Sequence, residues 1–192
     1  MSGVSTFHEM DTPLFLTLEI LMNLKIDVCI RNKSTTDRHF LLGLAKNPDL
    51  GQNTNVVYIY SLVGETVNYP DMPGHVIYIG EAGRKTEPTG KRFGQHISSK
   101  ADTGGDLGTI YALSRYYWLG KPIRLQVFTI ESRDERKALE RSLLNAHVKM
   151  YGALPMCQGT TGDNYKTSSI SNMTINQEHL DLLSQLDSKA EE

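Results

Sequence analysis

The 192 residues hold 20 lysines and arginines against 22 aspartates and glutamates, a formal charge of −2, and this length suits one domain with an appended segment while excluding a second full domain. Cys29 and Cys157 lie far apart and outside any Cys-x-x-Cys pairing, which excludes a disulfide framework and a zinc site. Met1–Asp11 has no cationic leader and the most apolar stretch, Leu14–Leu24, is broken by Glu19 and too short for a bilayer, so a soluble, cytoplasmic protein is expected.

In chain order, Thr12-Pro13 offers an N-cap and a first-turn proline, and Leu14, Leu18, Ile20 and Leu21 recur at helical spacing, which predicts an amphipathic helix over 13–24. A second helix is expected over 36–46, ended by Asn47-Pro48, with Asp49–Asn55 as a polar linker. Val56–Val63 and Val76–Gly80 are β-branched and aromatic and pair most simply as antiparallel neighbours; the connection with Pro70, Pro73 and Gly74 reads as an inserted loop. Lys91–Lys100 follows as a helix with Arg92 and His96 on one face, then a turn over Asp102–Gly108, a helix over Ile110–Leu119 and a third strand over Ile123–Ile130. Ser132 with Glu135 three residues later forms a capping box, which starts a long helix at Arg133 running to about Met150. Gly152–Asn164 is loop, and Ile175–Leu186 is a last amphipathic helix with Thr174 and Gln177 as its cap.

The net charge is unevenly spread. Residues 1–27 hold one lysine against four acids and residues 174–192 one lysine against five, leaving the stretch between them cationic. Within it, residues 75–100 carry Arg84, Lys85, Lys91, Arg92 and Lys100 against Glu81 and Glu87, a surplus suited to phosphate, although a charged stretch of this kind is also ordinary solvated surface. The same stretch holds Tyr78-Ile79-Gly80, twenty residues after Val56-Val57-Tyr58, followed by Arg92 and His96 and, on the later helix, by Glu140. These elements, in this order, resemble the active site of the GIY-YIG nucleases. Val56 stands where that family commonly has glycine, and the second tripeptide is intact.

The resemblance covers about residues 56–159. It implies an α+β fold with a small, central, mostly antiparallel sheet flanked by helices, preceded by an N-terminal helical extension (1–55), carried by a nuclease core with insertions (56–165) and followed by a C-terminal helix and acidic tail (166–192). It implies that Tyr58, Tyr78, Arg92, His96 and Glu140 are catalytic. Tyr58 would take the proton from the attacking water. A free phenol, with a pKa of about 10, needs help to do so, from Arg92, a metal ion or Lys91, or from His96 acting directly or as a relay. Glu140 would hold one Mg²⁺, with Mn²⁺ as a substitute, and Arg92 would bridge two phosphate oxygens with its planar fork. Gly80 and Gly83 would let the backbone approach DNA, and Arg84, Lys85 and Lys91 would contact it. Where the family has a bracing asparagine, Leu154-Pro155-Met156-Cys157-Gln158 places Gln158, with Asn145 or Asn164 as substitutes.

Each residue also has an ordinary reading. Tyr58, Tyr60 and Tyr78 suit the core of any sheet, Arg136 lies four residues before Glu140 and so suits a surface ion pair, and His96 and His147 can be surface histidines. Taken together, the expectation is a metal-dependent endonuclease of double-stranded DNA, resembling the compact type II restriction enzymes, with residues 1–55, 64–75 and 101–122 left for sequence recognition. A homodimer and a cognate methyltransferase are the partners this implies. The alternatives are a phage or mobile-element nuclease of loose preference and an inactive DNA-binding module.

Overall fold

The computed structural model describes residues 22–101, 108–158 and 176–190. It is a mixed α+β structure built on a four-stranded antiparallel sheet. Strand β1 is Asn23–Ile30, helix α1 is Arg38–Gly43 and strand β2 is Asn55–Leu62. The short pair β3 (Val67–Asn68) and β4 (Pro73–Gly74) precedes β5 (Val76–Ala82); helix α2 (Tyr111–Trp118), strand β6 (Ile123–Ile130), helix α3 (Arg133–Tyr151) and helix α4 (Gln177–Ser188) complete the chain.

The sheet order is β1-β6-β2-β5. The expected antiparallel pairing of β2 with β5 is present, with Tyr58 opposite Gly80 and Tyr60 opposite Tyr78. β6 fills the other side of β2, so that β2 is a central strand with every residue from Val56 to Leu62 buried. This agrees with its composition, since a strand covered on both faces reads as a continuous apolar run.

Four expectations change. The N-terminal region is not purely helical: residues 13–21 lie outside the described residues, but Asn23 and Leu24 begin β1, which is hydrogen-bonded to β6. Ile26, Val28 and Ile30 alternate with Lys25, Asp27 and Cys29, the period of a strand with one face turned inward. A division at residue 55 therefore cuts through one sheet. The segment expected as an α-helix over 91–100 is a 3-10 helix, Thr89–Gln95; Pro88 precedes it, and Gly90 and Gly94 are poor helix formers. An added Cβ at Gly90 would lie 1.9 Å from the Leu44 carbonyl oxygen, so this helix is pressed onto the turn that follows α1. The last helix is capped by Asn176, whose side chain accepts from the Glu178 N–H; the expected cap residue Thr174 lies outside the described residues, as do most of the 102–108 turn and the loop beyond 158.

The helix at 36–46 is shorter than expected: α1 begins after Asp37, whose carboxylate accepts from the His39 N–H, and gives way to a 3-10 turn over Leu44–Lys46. Helix α3 has the predicted capping box, with both reciprocal bonds between Ser132 and Glu135, and ends at Gly152 with φ 75°. It packs on β2, β5 and β6 and against α4. Among the described residues no helix is long and apolar enough to cross a membrane.

Candidate active site

The site is assembled around the edge strand β5. Alternate residues of a strand leave opposite faces, so Tyr78 and Gly80 share one face with Tyr58 and Tyr60, while Glu81 leaves the other, where α3 lies. On the tyrosine face the three phenols cluster: the Tyr58 ring is 5.9 Å from Tyr78 and 6.1 Å from Tyr60, centroid to centroid. Gly80 makes that cluster possible. A Cβ there would lie 2.6 Å from the Tyr78 ring and 2.7 Å from the Tyr58 hydroxyl, so the glycine opens space for these side chains.

Arg92 and His96 arrive from the 3-10 helix and its C-cap. Both side chains reach Tyr58, Arg92 from within the helix and His96 from its C-cap. Arg92 is half-buried and interacts with the Tyr58 and Tyr78 hydroxyls. His96 is fully buried beneath the tyrosines and is not a surface histidine. Its Nδ1 lies 2.8 Å from the Tyr60 hydroxyl and its Nε2 3.4 Å from the Tyr58 hydroxyl.

Burial and the nearby Arg92 charge lower the His96 pKa to about 3, so the ring is neutral. A neutral imidazole has one N–H and one lone pair. If Nδ1–H donates to Tyr60, the Nε2 lone pair faces Tyr58 and can receive its proton. Burial first, and then the Tyr78 hydroxyl, raise the Tyr58 pKa well above 10, with Arg92 opposing. Tyr58 is thus a protonated phenol in the free protein, with a base on one side and a guanidinium on another. From the sequence Tyr60 had no task beyond the core of a sheet; in the structure its hydroxyl lies nearer to His96 than that of Tyr58 does. The spacing of two between the tyrosines carried part of that information, but the His96 contact spans 36 residues.

On the other face Arg136 organises the acids. It is only 5% exposed. Its Nη1 donates to Asn55 Oδ1 at 2.9 Å, and its Nε lies 2.5 Å from Glu81 Oε2, an ion pair in which the Nε–H does not point at the carboxylate. The guanidinium rests on Gly83, where an added Cβ would come within 1.6 Å of Nη1. Gly83, like Gly80, is small for a side chain of this protein. Arg136 is therefore not the surface partner of Glu140. Glu140, one helical turn on, forms no hydrogen bond or ion pair among the described residues. Burial first, then the Glu81 charge, raise its pKa to about 7. Its charge also helps to raise the Tyr78 pKa.

Among the described residues no three His, Cys, Asp or Glu side chains cluster as a ready metal cage. A half-buried carboxylate that feels a second one is chemistry that fits a hard divalent cation completed by water and phosphate oxygens, and Glu140 could hold it.

The remaining candidates divide. Gln158 meets the edge strand, its Oε1 accepting from the Ile79 N–H at 3.2 Å, while the Cys157 N–H donates to the Ile77 carbonyl at 2.8 Å. It braces the strand that carries Tyr78. Asn164 lies outside the described residues. Asn145 lies on α3, five residues after Glu140. Arg84 is tied to Glu87 and to Gln95 Oε1 at 3.2 Å, and Lys91 is paired with the same Glu87 on the exposed side, so Lys91 is not the group that assists Tyr58. Lys85 is exposed. His147 is buried, with Nδ1 at 2.7 Å from the Ala153 carbonyl and its ring against Tyr69 and Tyr151, a core histidine apart from this site.

No protein-family model, curated protein or solved structure matches this chain.

Proposed function

We propose that the chain is a metal-dependent endonuclease of double-stranded DNA that works as the GIY-YIG nucleases do, with the four-stranded sheet as its catalytic core. One observation carries the reading: Tyr58, Tyr60, Tyr78, Arg92 and His96, drawn from β2, β5 and the 3-10 helix, cluster on one face of the sheet around a neutral buried imidazole and a guanidinium, and Glu140 of α3, 82 positions after Tyr58, adds a half-buried carboxylate whose charge Tyr78 feels. A purely structural cluster has no need of an unpaired half-buried acid, which costs stability.

In this reading Arg92 binds the scissile phosphate through two of its donors and neutralises charge that builds on the phosphoryl oxygens. A water attacks phosphorus from the side of Tyr58. As it gives its proton to the Tyr58 oxygen, Tyr58 passes its own to His96 Nε2, while Tyr60 holds the ring through Nδ1. Tyr78 orients the phosphate, and the bond from phosphorus to the 3′ oxygen breaks. Glu140 would hold Mg²⁺, or Mn²⁺ as substitute, and the ion when bound would supply charge stabilisation and lower the pKa of water near the leaving oxygen.

One site cuts one strand, so a restriction-type enzyme needs two copies related by a two-fold axis on a palindromic sequence. The test is cleavage of supercoiled plasmid with and without Mg²⁺ by the wild type and by Glu140→Gln. Discrete linear fragments from the wild type, formed with little nicked intermediate, and uncut but bound plasmid with the variant are expected. A smear points to a nuclease of loose preference, and plasmid left intact by the wild type refutes the endonuclease reading.

A further inference from the structure

Beside the catalytic groups runs an open cleft whose lining comes from distant parts of the chain: Tyr78, Arg92, Gly108, Thr109, Tyr111 and Met156 all face it. Two of its walls are conspicuously apolar for exposed positions. Tyr111 is 59% exposed and Met156 53%, and they are two of only six large hydrophobic side chains left exposed among the described residues. Lone exposed apolar residues need no explanation, but an aromatic and a thioether that meet at one concavity, next to a guanidinium, are a different case.

The segment that holds Thr109 and Ile110 is fixed to the catalytic helix. The Ile110 N–H donates to the His96 carbonyl at 3.0 Å and the Thr109 hydroxyl to the Gln95 carbonyl at 3.2 Å. Gly108, with φ 97°, lies so close to Arg92 that an added Cβ would sit 3.2 Å from its Nη1. The segment that carries Tyr111 is therefore registered on Arg92. On the other wall Met156 is set by its own N–H, which donates to the Tyr69 hydroxyl at 3.0 Å, and by the Cys157 bond to β5. Both apolar walls are held by hydrogen bonds to the elements that hold Tyr78 and Arg92.

We infer that this cleft seats the nucleoside adjoining the phosphate that Arg92 holds, with its base drawn out of the duplex stack onto Tyr111 and its flank against Met156. This rests on the endonuclease reading of the same site. The occupant follows from continuity and chemistry. A phosphate on Arg92 carries a deoxyribose within one bond on either side, and the cleft opens directly from Arg92. A flat aromatic face and a polarisable thioether suit a π-surface of any base, which binds without regard to sequence. Unstacking one base has a cost, and the aromatic wall offsets it. The cleft thus distorts the DNA at the bond to be cut and draws the phosphate toward Tyr58.

The test begins with the cut site mapped from the plasmid digest. Duplexes carrying 5-iodouracil at each of the two nucleotides flanking the scissile phosphate are bound to the wild type in EDTA, irradiated, and the crosslinked peptide sequenced by mass spectrometry. A crosslink at Tyr111 or Met156 is expected from one of the two positions. In parallel, Tyr111→Ala should weaken binding of the cognate duplex about 10- to 100-fold, the range of one base–aromatic stack, and Tyr111→Phe should recover most of that loss because the ring and not the hydroxyl carries it. Leu119→Ala, a comparably exposed position just past the end of the same helix, should bind as the wild type. Crosslinks only at other residues, or an Ala variant that binds as tightly as the wild type, overturn the inference while DNA cleavage by the wild type leaves the endonuclease reading standing. A wild type that neither binds nor cuts DNA removes both.

Discussion

Binding of the metal ion should expel a proton, and the position of Glu140 sets the pH at which it does so. Its carboxyl has a pKa of about 7, raised from 4.5 by burial and by the like charge of Glu81. A cation binds the carboxylate form only. On that basis Glu140 is ionised in roughly a tenth of molecules at pH 6, about half at pH 7 and about nine tenths at pH 8, so the apparent dissociation constant should fall about tenfold from pH 6 to pH 8. Calorimetric titration with Mn²⁺ in two buffers of different ionisation enthalpy reads both the affinity and the protons released, close to one per ion at pH 6 and close to none at pH 8. The same shift has a stability consequence. Between pH 4.5 and about 7 the folded chain keeps a proton that the unfolded chain gives up, so the contribution of this group is present at low pH and is lost as pH rises through 7. Saturating metal should oppose that loss. Glu81→Gln removes the like charge and should tighten Mn²⁺ binding at pH 6. Affinity that does not change between pH 6 and pH 8, or Glu140→Gln that binds the ion as the wild type does, would refute the reasoning; weaker binding of Glu81→Gln at every pH would show that Glu81 is itself a ligand.

The proton path makes separate claims for the two buried tyrosines. Tyr58→Phe should lower the rate by about 10² to 10⁴, as the loss of a proton-transfer group does, and Tyr60→Phe should lower it by a smaller but measurable factor through the freed His96 ring; equal rates for Tyr60→Phe and the wild type in single-turnover cleavage would free His96 of Tyr60. Arg92→Lys should fail to cut because a point charge cannot bridge two oxygens, and a loss of less than tenfold would move Arg92 away from the reacting phosphate. Gly83→Ala forces a methyl into the Arg136 guanidinium and should destabilise the fold by about 1 to 3 kcal/mol, the cost of overpacking, measured by urea unfolding; a neutral result would mean that Arg136 is free to leave its seat.

Local signals in the chain were sufficient for the strands β2, β5 and β6, for the antiparallel pairing of β2 with β5 and for α3 with its capping box, because residue period, β-branching and a cap three residues wide are encoded within a few positions. The same period of two put Tyr58 and Tyr60 on one face. What only the tertiary structure decided depends on contacts between distant segments. β1 is a strand because β6, about a hundred residues later, supplies its hydrogen bonds, while its own sequence follows directly on an apolar run of helical spacing. The segment that carries Arg92 and leads into His96 is a 3-10 helix because two glycines after a proline are poor α-helix formers and the turn after α1 presses on it. Gly80 and Gly83 are small for Tyr58, Tyr78 and Arg136, which no spacing in the sequence announces. The neutral His96 and the raised Glu140 follow from burial, and burial is a property of the packed sheet and helices, not of the residue in its local sequence.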